Sequence, residues 1–186
     1  PGPKLDIGAP ADVELEPRPI GERLAERVDA LAAGGIDFIK DDEKMANPAY
    51  SPWAERTGAV MRVIRDYAER SGKRVMYAFN ISSDDPEAMV RGHDTVVAAG
   101  GNAVMVSIAQ VGLAAVKFLR QRCQVPIHGH RNGWDALTRH PAIGFDFRAW
   151  HQFYRLAGVD HVHVNGVQNK FWEDDASVIR SLKACL

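Results

Sequence analysis

The sequence predicts an α/β fold with a parallel sheet. From residue 22 onward, five short apolar stretches typical of strands alternate with stretches that have helical periodicity. Strands that are each followed by a helix pair in parallel through right-handed crossovers. Nearly every unusual polar cluster stands where a strand ends, which is where barrels and open α/β sheets both bind their ligands. Periodicity alone leaves an open doubly wound sheet and a barrel as alternatives.

The elements follow one another in a regular order. Leu24, Val28 and Leu31 repeat at helical spacing and predict a first helix from about residue 22, which Gly34 and Gly35 end. Strands are predicted at 36–39, 75–79, 103–106, 125–130 and 159–164. Further helices are predicted to begin near residues 51, 86, 111, 147 and 176. Two of these starts, Ser51-Pro52 and Asp85-Pro86, pair a capping residue with a first-turn proline.

The composition predicts one ordinary globular domain over residues 22–186, preceded by an extended lead-in over residues 1–21. Residues 1–20 hold five of the ten prolines and show no periodicity. Of the 186 residues, 46% are hydrophobic and 25% charged, and the net charge is −1. Such a balance argues against a nucleic-acid or anionic-membrane binder, whose affinity needs excess Lys and Arg.

The expected compartment is the cytoplasm. Only two cysteines, Cys123 and Cys185, are present, which is too few for a disulfide framework and fits a reducing environment. The sequence contains no apolar run near the roughly 20 residues of a membrane span, and it opens with no signal peptide.

The run Lys40-Asp41-Asp42-Glu43 directly follows the first predicted strand. Strand alternation puts Lys40 and Asp42 on one face, and the turning chain can bring Glu43 to join them. Carboxylate oxygens in this number suit Mg²⁺, and a lysine placed here could react with CO₂ to give a carbamate, a further oxygen ligand. The alternative is a solvated, charged loop, because short charge runs usually lie on the surface.

Two histidine pairs end later strands. His128 and His130 share one face of their strand, with Gly129 between them and Arg131 after them, and His161 and His163 form a second pair. A lone strand histidine is more often a hydrogen-bonded core residue, but two pairs at strand ends favour a site. The segment from Gly166 to Lys170 is typical of a mobile loop that places a cation over a bound anion. Asn80, at the end of another strand, could contact a ligand or serve as a cap.

Together these segments resemble the RuBisCO large-chain family. Residues 34–43 are similar to its second-strand motif, in which a carbamylated lysine, an aspartate and a glutamate bind Mg²⁺; this implies those roles for Lys40, Asp42 and Glu43. The remaining matches imply substrate contacts, with His130, Arg131 and His163 at the fifth and sixth strands and Lys170 at the loop-six lysine. Asn80 falls at the third-strand asparagine, also as a substrate contact. The resemblance thus implies a (β/α) TIM-type barrel, incomplete in this chain, with about strands 2 to 6 and their helices.

The details resemble the RuBisCO-like, non-carbon-fixing branch of the family. The segment 164–169 departs from the usual glycine-rich loop, and the contexts of Trp134 and Trp172 resemble that branch, with greatest similarity to 3-oxo-isoapionate-4-phosphate decarboxylases. In this family the first barrel strand, with its lysine-proline motif, is expected after Gly21, but the first predicted helix follows there directly. Strands seven and eight and the family's amino-terminal α+β domain have no counterpart in this sequence either. An internal deletion, or segments left out of the numbering, would account for the missing parts.

The resemblance implies an Mg²⁺-dependent carboxy-lyase, with CO₂ as a carbamate on Lys40, acting on a small 3-oxo sugar-acid phosphate. A homodimer or larger homo-oligomer is expected. His163 would orient an oxygen or relay a proton, and Lys170 would neutralise the departing carboxylate. The alternatives are a sulfur-salvage enolase or isomerase, an inactive scaffold, and a zinc hydrolase bridged by a carbamylated lysine. In amidohydrolase barrels, however, the His-x-His pair precedes the lysine, whereas both pairs follow Lys40 here.

Overall fold

The computed structural model describes residues 20–137, 142–168 and 173–184 of the chain. They form a parallel sheet of five strands with six helices. The strands are β1 Phe38–Lys40, β2 Met76–Asn80, β3 Ala103–Ser107, β4 Ile127–His130 and β5 His161–Val162. The helices are α1 Ile20–Ala33, α2 Trp53–Ser71, α3 Pro86–Ala98, α4 Ile108–Arg120, α5 Phe147–Ala157 and α6 Asp175–Ala184. A 3-10 turn, Trp134–Leu137, lies between β4 and α5.

The strand order decides between the two predicted architectures. The strands lie side by side in chain order, β1-β2-β3-β4-β5, and every neighbouring pair is parallel. A doubly wound sheet reverses its order at a switch point and carries helices on both faces, whereas a barrel continues in one direction with all helices outside. The sheet is therefore a curled half-barrel, and the predicted incomplete (β/α) barrel is confirmed.

The strand register gives the sheet two chemically different faces. The outer face carries Tyr77, Phe79, Val104, Val106 and Ile127, which pack with the helices into one large buried core. The inner face carries a smaller apolar cluster of Ala78, Ala103 and Met105 against Phe38. Above this cluster, toward the carboxyl ends of the strands, the inner face becomes polar. Side chains of neighbouring strands that share the inner face there can form a site.

Several local predictions hold and others need correction. Asp85 caps α3 by accepting a hydrogen bond from the Glu87 backbone N–H, as expected. Ser51 does not cap α2: the N-cap position is Pro52, and the Oδ1 of Asn47 accepts from the Trp53 N–H instead. A strand was predicted at 36–39, but residues 36 and 37 are exposed and lie before β1, which is an edge strand of the described sheet and only half-buried.

Gly129 faces outward and lets the core approach the backbone of β4. A Cβ added there would lie 2.9 Å from Cγ1 of Val159 and 3.2 Å from two carbons of Ile108. The side chains that approach this glycine therefore belong to the protein's own core. None of the helices in the described ranges is long and apolar enough to cross a membrane.

Candidate active site

The carboxyl ends of β1, β4 and β5 bring Lys40, His130 and His163 to one rim of the half-barrel. Lys40 lies on the inner face, because its register partner Ala78 is an inner-face residue. His130 is paired in register with Ser107, and the His163 backbone N–H donates to the Gly129 carbonyl at 2.8 Å. Lys40, His130 and His163 thus face the same mouth, as the barrel order of their strands predicted.

The acidic loop after β1 lies over the same mouth. Asp42 is exposed and Glu43 is partly exposed, and Oε2 of Glu43 lies 4.0 Å from Nε2 of His130. The Lys40 Nζ donates to the Asp41 carbonyl at 3.1 Å. Glu43 thus faces His130, and the charges of Asp42 and Glu43 act on the pKa values of His130 and His163, so both carboxylates lie on the histidine side of the loop.

Four histidines line the inner face in two layers. The rings of His130 and His163 at the mouth have centroids 4.5 Å apart. Burial, with Lys40, lowers the pKa of His130 to about 4, although the Asp42 charge opposes this. Burial also lowers the pKa of His163 to about 4, together with His130 and Lys40 and against Glu43. Both imidazoles are therefore neutral near pH 7, so each offers one N–H donor and one acceptor nitrogen.

His128 and His161 lie next to each other on the inner face, where His128 is buried and His161, on the edge strand β5, is exposed. Nδ1 of His128 and Nδ1 of His161 share a hydrogen bond of 2.9 Å, and both rings pack against Phe38 with centroids 5.0 Å away. Burial and the neighbouring His161 lower the pKa of His128, so it too stays neutral. His128 thus lies below the mouth, with its ring next to His161 and Phe38.

Asn80 lies beneath the acidic loop rather than in the open mouth. It is fully buried, and its Nδ2 donates to the carbonyls of Asp42 at 3.1 Å and Glu43 at 3.0 Å. Its Oδ1 accepts from the backbone N–H and the hydroxyl of Ser82. The side chain therefore supports the loop that carries the carboxylates, which is nearer to the predicted cap than to a ligand contact.

Arg131 is paired within the protein. Its Nη1 lies 3.1 Å from Oε2 of Glu173, and both side chains are only 5% exposed. Asn165 and Ser177 also donate to the Glu173 carboxylate, at 2.6 and 3.0 Å. The predicted contact between Arg131 and an anionic substrate thus involves a guanidinium that already has a carboxylate partner. Lys170, the other predicted cation, lies outside the described residues.

Three residues of the site region escaped the sequence analysis. Asp41 is buried on the outer side of β1, where it contacts the Arg56 guanidinium and accepts a hydrogen bond from the Tyr77 hydroxyl. Burial raises the pKa of Asp41, and Arg56 and the hydrogen bonds oppose that rise. A signal existed in the sequence, because Arg56 interrupts the apolar stripe that continues with Val60 and Ile64.

The donor set fits Mg²⁺ on one condition. In the described ranges, no group of three or more His, Cys, Asp or Glu side chains is arranged to hold a metal. Asp42 and Glu43 supply carboxylate oxygens, which Mg²⁺ prefers, but the amine of Lys40 adds none. A carbamate on Lys40 would supply the missing oxygens at the same rim. The residues present therefore fit the ion if Lys40 is carbamylated.

Comparison with known proteins agrees with this geometry. Residues 13–186 match the ribulose bisphosphate carboxylase large chain, catalytic domain. A Rhizobium etli protein named 3-oxo-isoapionate-4-phosphate decarboxylase is 47% identical, over 99% of this chain and 47% of its own length. A Xanthobacter autotrophicus protein named 3-oxo-isoapionate-4-phosphate transcarboxylase/hydrolase is 53% identical, over 89% of this chain and 40% of its own.

Comparison with solved structures points to the same family. The crystal structure of a rubisco-like protein from Burkholderia fungorum superimposes with a TM-score of 0.85 at 47% identity. That match covers 89% of this chain and 41% of the other. The chain thus spans less than half the length of the relatives it matches. Five parallel strands in chain order, a rim that gathers Lys40, His130 and His163, and these matches lead to one conclusion: the chain belongs to the RuBisCO large-chain family.

Proposed function

We propose that the protein is an Mg²⁺-dependent RuBisCO-like lyase that decarboxylates a 3-oxo sugar-acid phosphate. The observation that carries the proposal is the shared rim, where Lys40 and two carboxylates face two neutral histidines. The relatives named for 3-oxo-isoapionate 4-phosphate support the substrate class.

Lys40, as its carbamate, Asp42 and Glu43 would hold the ion. Bound Mg²⁺ would supply Lewis acidity, which stabilises negative charge on the substrate's keto oxygen as the carboxylate leaves. In the reaction the carbon–carbon bond to the carboxylate breaks, its electron pair moves toward the keto group, and CO₂ departs. A proton must then return to the carbon that lost the carboxylate.

The chain's own residues would orient the substrate and move that proton. The rings of His130 and His163 lie next to each other, and low pKa values keep them neutral near pH 7, so each can donate one hydrogen bond and accept another. In this proposal His163 orients a substrate oxygen or relays the proton. His130 contacts an anionic end of the substrate together with Arg131, while Lys170 neutralises the departing carboxylate.

The test is CO₂ release from 3-oxo-isoapionate 4-phosphate by the intact protein, with Mg²⁺ and bicarbonate. We expect Lys40→Ala to abolish release, because it removes the carbamate-forming amine. Lys44→Ala is the matched control, since Lys44 is an exposed lysine of the same loop whose backbone N–H, not its side chain, bonds Asp42. Release that survives both chelation of Mg²⁺ and Lys40→Ala would contradict the proposal.

A second candidate is carboxyl transfer or hydrolysis of the same substrate. It is favoured by the 53% identical relative that is named transcarboxylase/hydrolase. The same assay separates the two reactions, because transfer or hydrolysis consumes the substrate without releasing CO₂. Metal analysis of the purified protein separates both from a zinc hydrolase, which would retain stoichiometric zinc.

A further inference from the structure

A buried polar network lies directly under the acidic loop. Arg56, in the first turn of α2, is completely buried, and its Nε lies 3.1 Å from Oδ2 of Asp41. The other carboxylate oxygen of Asp41 accepts a hydrogen bond of 2.6 Å from the Tyr77 hydroxyl. Asp41 stands between Lys40 and Asp42 in the chain but points to the opposite side of β1. The network therefore belongs to the outer core rather than to the mouth.

The loop between β1 and α2 is folded around the Arg56 guanidinium. Nη2 donates to the carbonyls of Met45 and Ala46, both at 2.9 Å, and Nη1 donates to the carbonyl of Ser51. Because the planar guanidinium offers five donors in a rigid fork, one side chain can fix three loop carbonyls and a carboxylate together. Lysine, with a compact ammonium, cannot reproduce this pattern.

The network continues to the backbone that carries the candidate metal ligands. Oδ2 of Asp41 also accepts from the Asn80 backbone N–H at 2.9 Å. The Asn80 side chain in turn donates to the carbonyls of Asp42 and Glu43. The Arg56–Asp41 ion pair and a path of hydrogen bonds therefore connect Arg56 and Tyr77, through Asp41 and Asn80, to Asp42 and Glu43.

We propose that Asp41, Arg56 and Tyr77 form a positioning unit that sets the direction of the Asp42 and Glu43 carboxylates for metal binding. The assignment rests on the metal site of the proposed function. A buried ion pair is weak support for stability, because its desolvation offsets its attraction, and apolar replacements are often as stable. The presence of these polar residues at the apolar face of α2 is therefore better explained by their effect on the conformation of the loop between β1 and α2 than by a gain in stability. Metal affinity depends on such orientation by residues outside the ligand set.

The experiment compares Mg²⁺ affinity of the intact protein, by calorimetry in bicarbonate buffer, with exchange of the Lys44 and Met45 amides. Both amides bond Asp42 in the structure. We expect Tyr77→Phe to weaken Mg²⁺ binding about tenfold, the equivalent of one hydrogen bond to a charged group, and to speed exchange of both amides. Arg56→Lys should have a larger effect of the same kind. If Arg56→Lys fails to fold, Tyr77→Phe alone decides.

Tyr154→Phe is the matched control, because Tyr154 is a buried tyrosine on α5 in the same core. It should leave Mg²⁺ affinity and both amides unchanged, so a general loss of stability is distinguished from loss of positioning. Unchanged affinity in Tyr77→Phe would overturn the inference, whatever happens to the amides. If the wild-type protein binds no Mg²⁺, the proposed function fails by itself, and unchanged amide exchange in Tyr77→Phe would then overturn the positioning unit as well.

Discussion

Replacing Glu173 with alanine would break the buried ion pair that joins Arg131, just after β4, to the segment before α6. The change removes the carboxylate 3.1 Å from the Arg131 guanidinium, and it also removes the acceptor for the Asn165 amide and the Ser177 hydroxyl. Both charged side chains are 5% exposed, so solvent can screen little of the loss. Removing one partner of such a pair takes a counterion away from a charge that stays buried.

The expected loss of unfolding free energy follows from the burial of the pair. Breaking a buried pair costs about 3–5 kcal/mol of unfolding free energy. In a domain of about 150–250 residues each kcal/mol lowers the melting temperature by about 2–4 °C, so we expect a fall of about 6–20 °C. Urea unfolding and thermal melting of the intact protein measure the effect. Glu173→Gln should cost less, because its amide oxygen still accepts a hydrogen bond.

An exposed pair supplies the control. Asp29 and Arg70 are similarly close, at 3.0 Å, but their side chains are 48% and 64% exposed. Exposed pairs of this kind contribute about 0–1 kcal/mol, so Asp29→Ala should change the melting temperature little. If Glu173→Ala is no more destabilising than Asp29→Ala, the Arg131 pair is not the structural contact that its burial indicates.

Three further predictions concern other parts of the chain. Gly129→Ala should lower the unfolding free energy by about 1–3 kcal/mol, because the added methyl group would overpack the core. Gly58→Ala has open space at its helical position and should raise the unfolding free energy by about 0.5–1 kcal/mol; urea unfolding measures both changes. Acidification from pH 6.5 toward about 4 should lower the urea concentration at the unfolding midpoint, because His130 and His163 stay neutral in the folded protein but take up protons in the unfolded chain. A midpoint that does not change over this pH range would refute the prediction. Lys170→Met should lower CO₂ release at saturating Mg²⁺ more than it weakens Mg²⁺ binding, and unchanged turnover would leave Lys170 without a catalytic part.

The sequence predicted the order of elements well because hydrophobic periodicity reports burial locally. Periodicity could not choose between a barrel and an open sheet, since that choice depends on which strands become neighbours; the barrel was predicted from the resemblance of the strand-end motifs. The start of α2 shows the same limit at small scale. Ser51-Pro52 has the composition of a cap, yet the Ser51 carbonyl is bonded to the Arg56 guanidinium and Asn47 supplies the capping oxygen. A contact made by a loop folding back on itself is invisible to a local pattern.

The buried pair of Asp41 and Arg56 could have been predicted from strand alternation. If Lys40 and Asp42 face the mouth, Asp41 must face the helix-covered side of β1, and a carboxylate there needs a buried partner. The residue that meets this need had to be a cation or donor within an apolar stripe, and Arg56 on α2 is one. The Arg131 pair offered no such route, because Glu173 lies 42 residues away and its burial depends on how α6 returns to the rim. A charge on the buried face of a predicted strand or helix therefore indicates a partner, while the identity of that partner becomes predictable only when it lies on the neighbouring element.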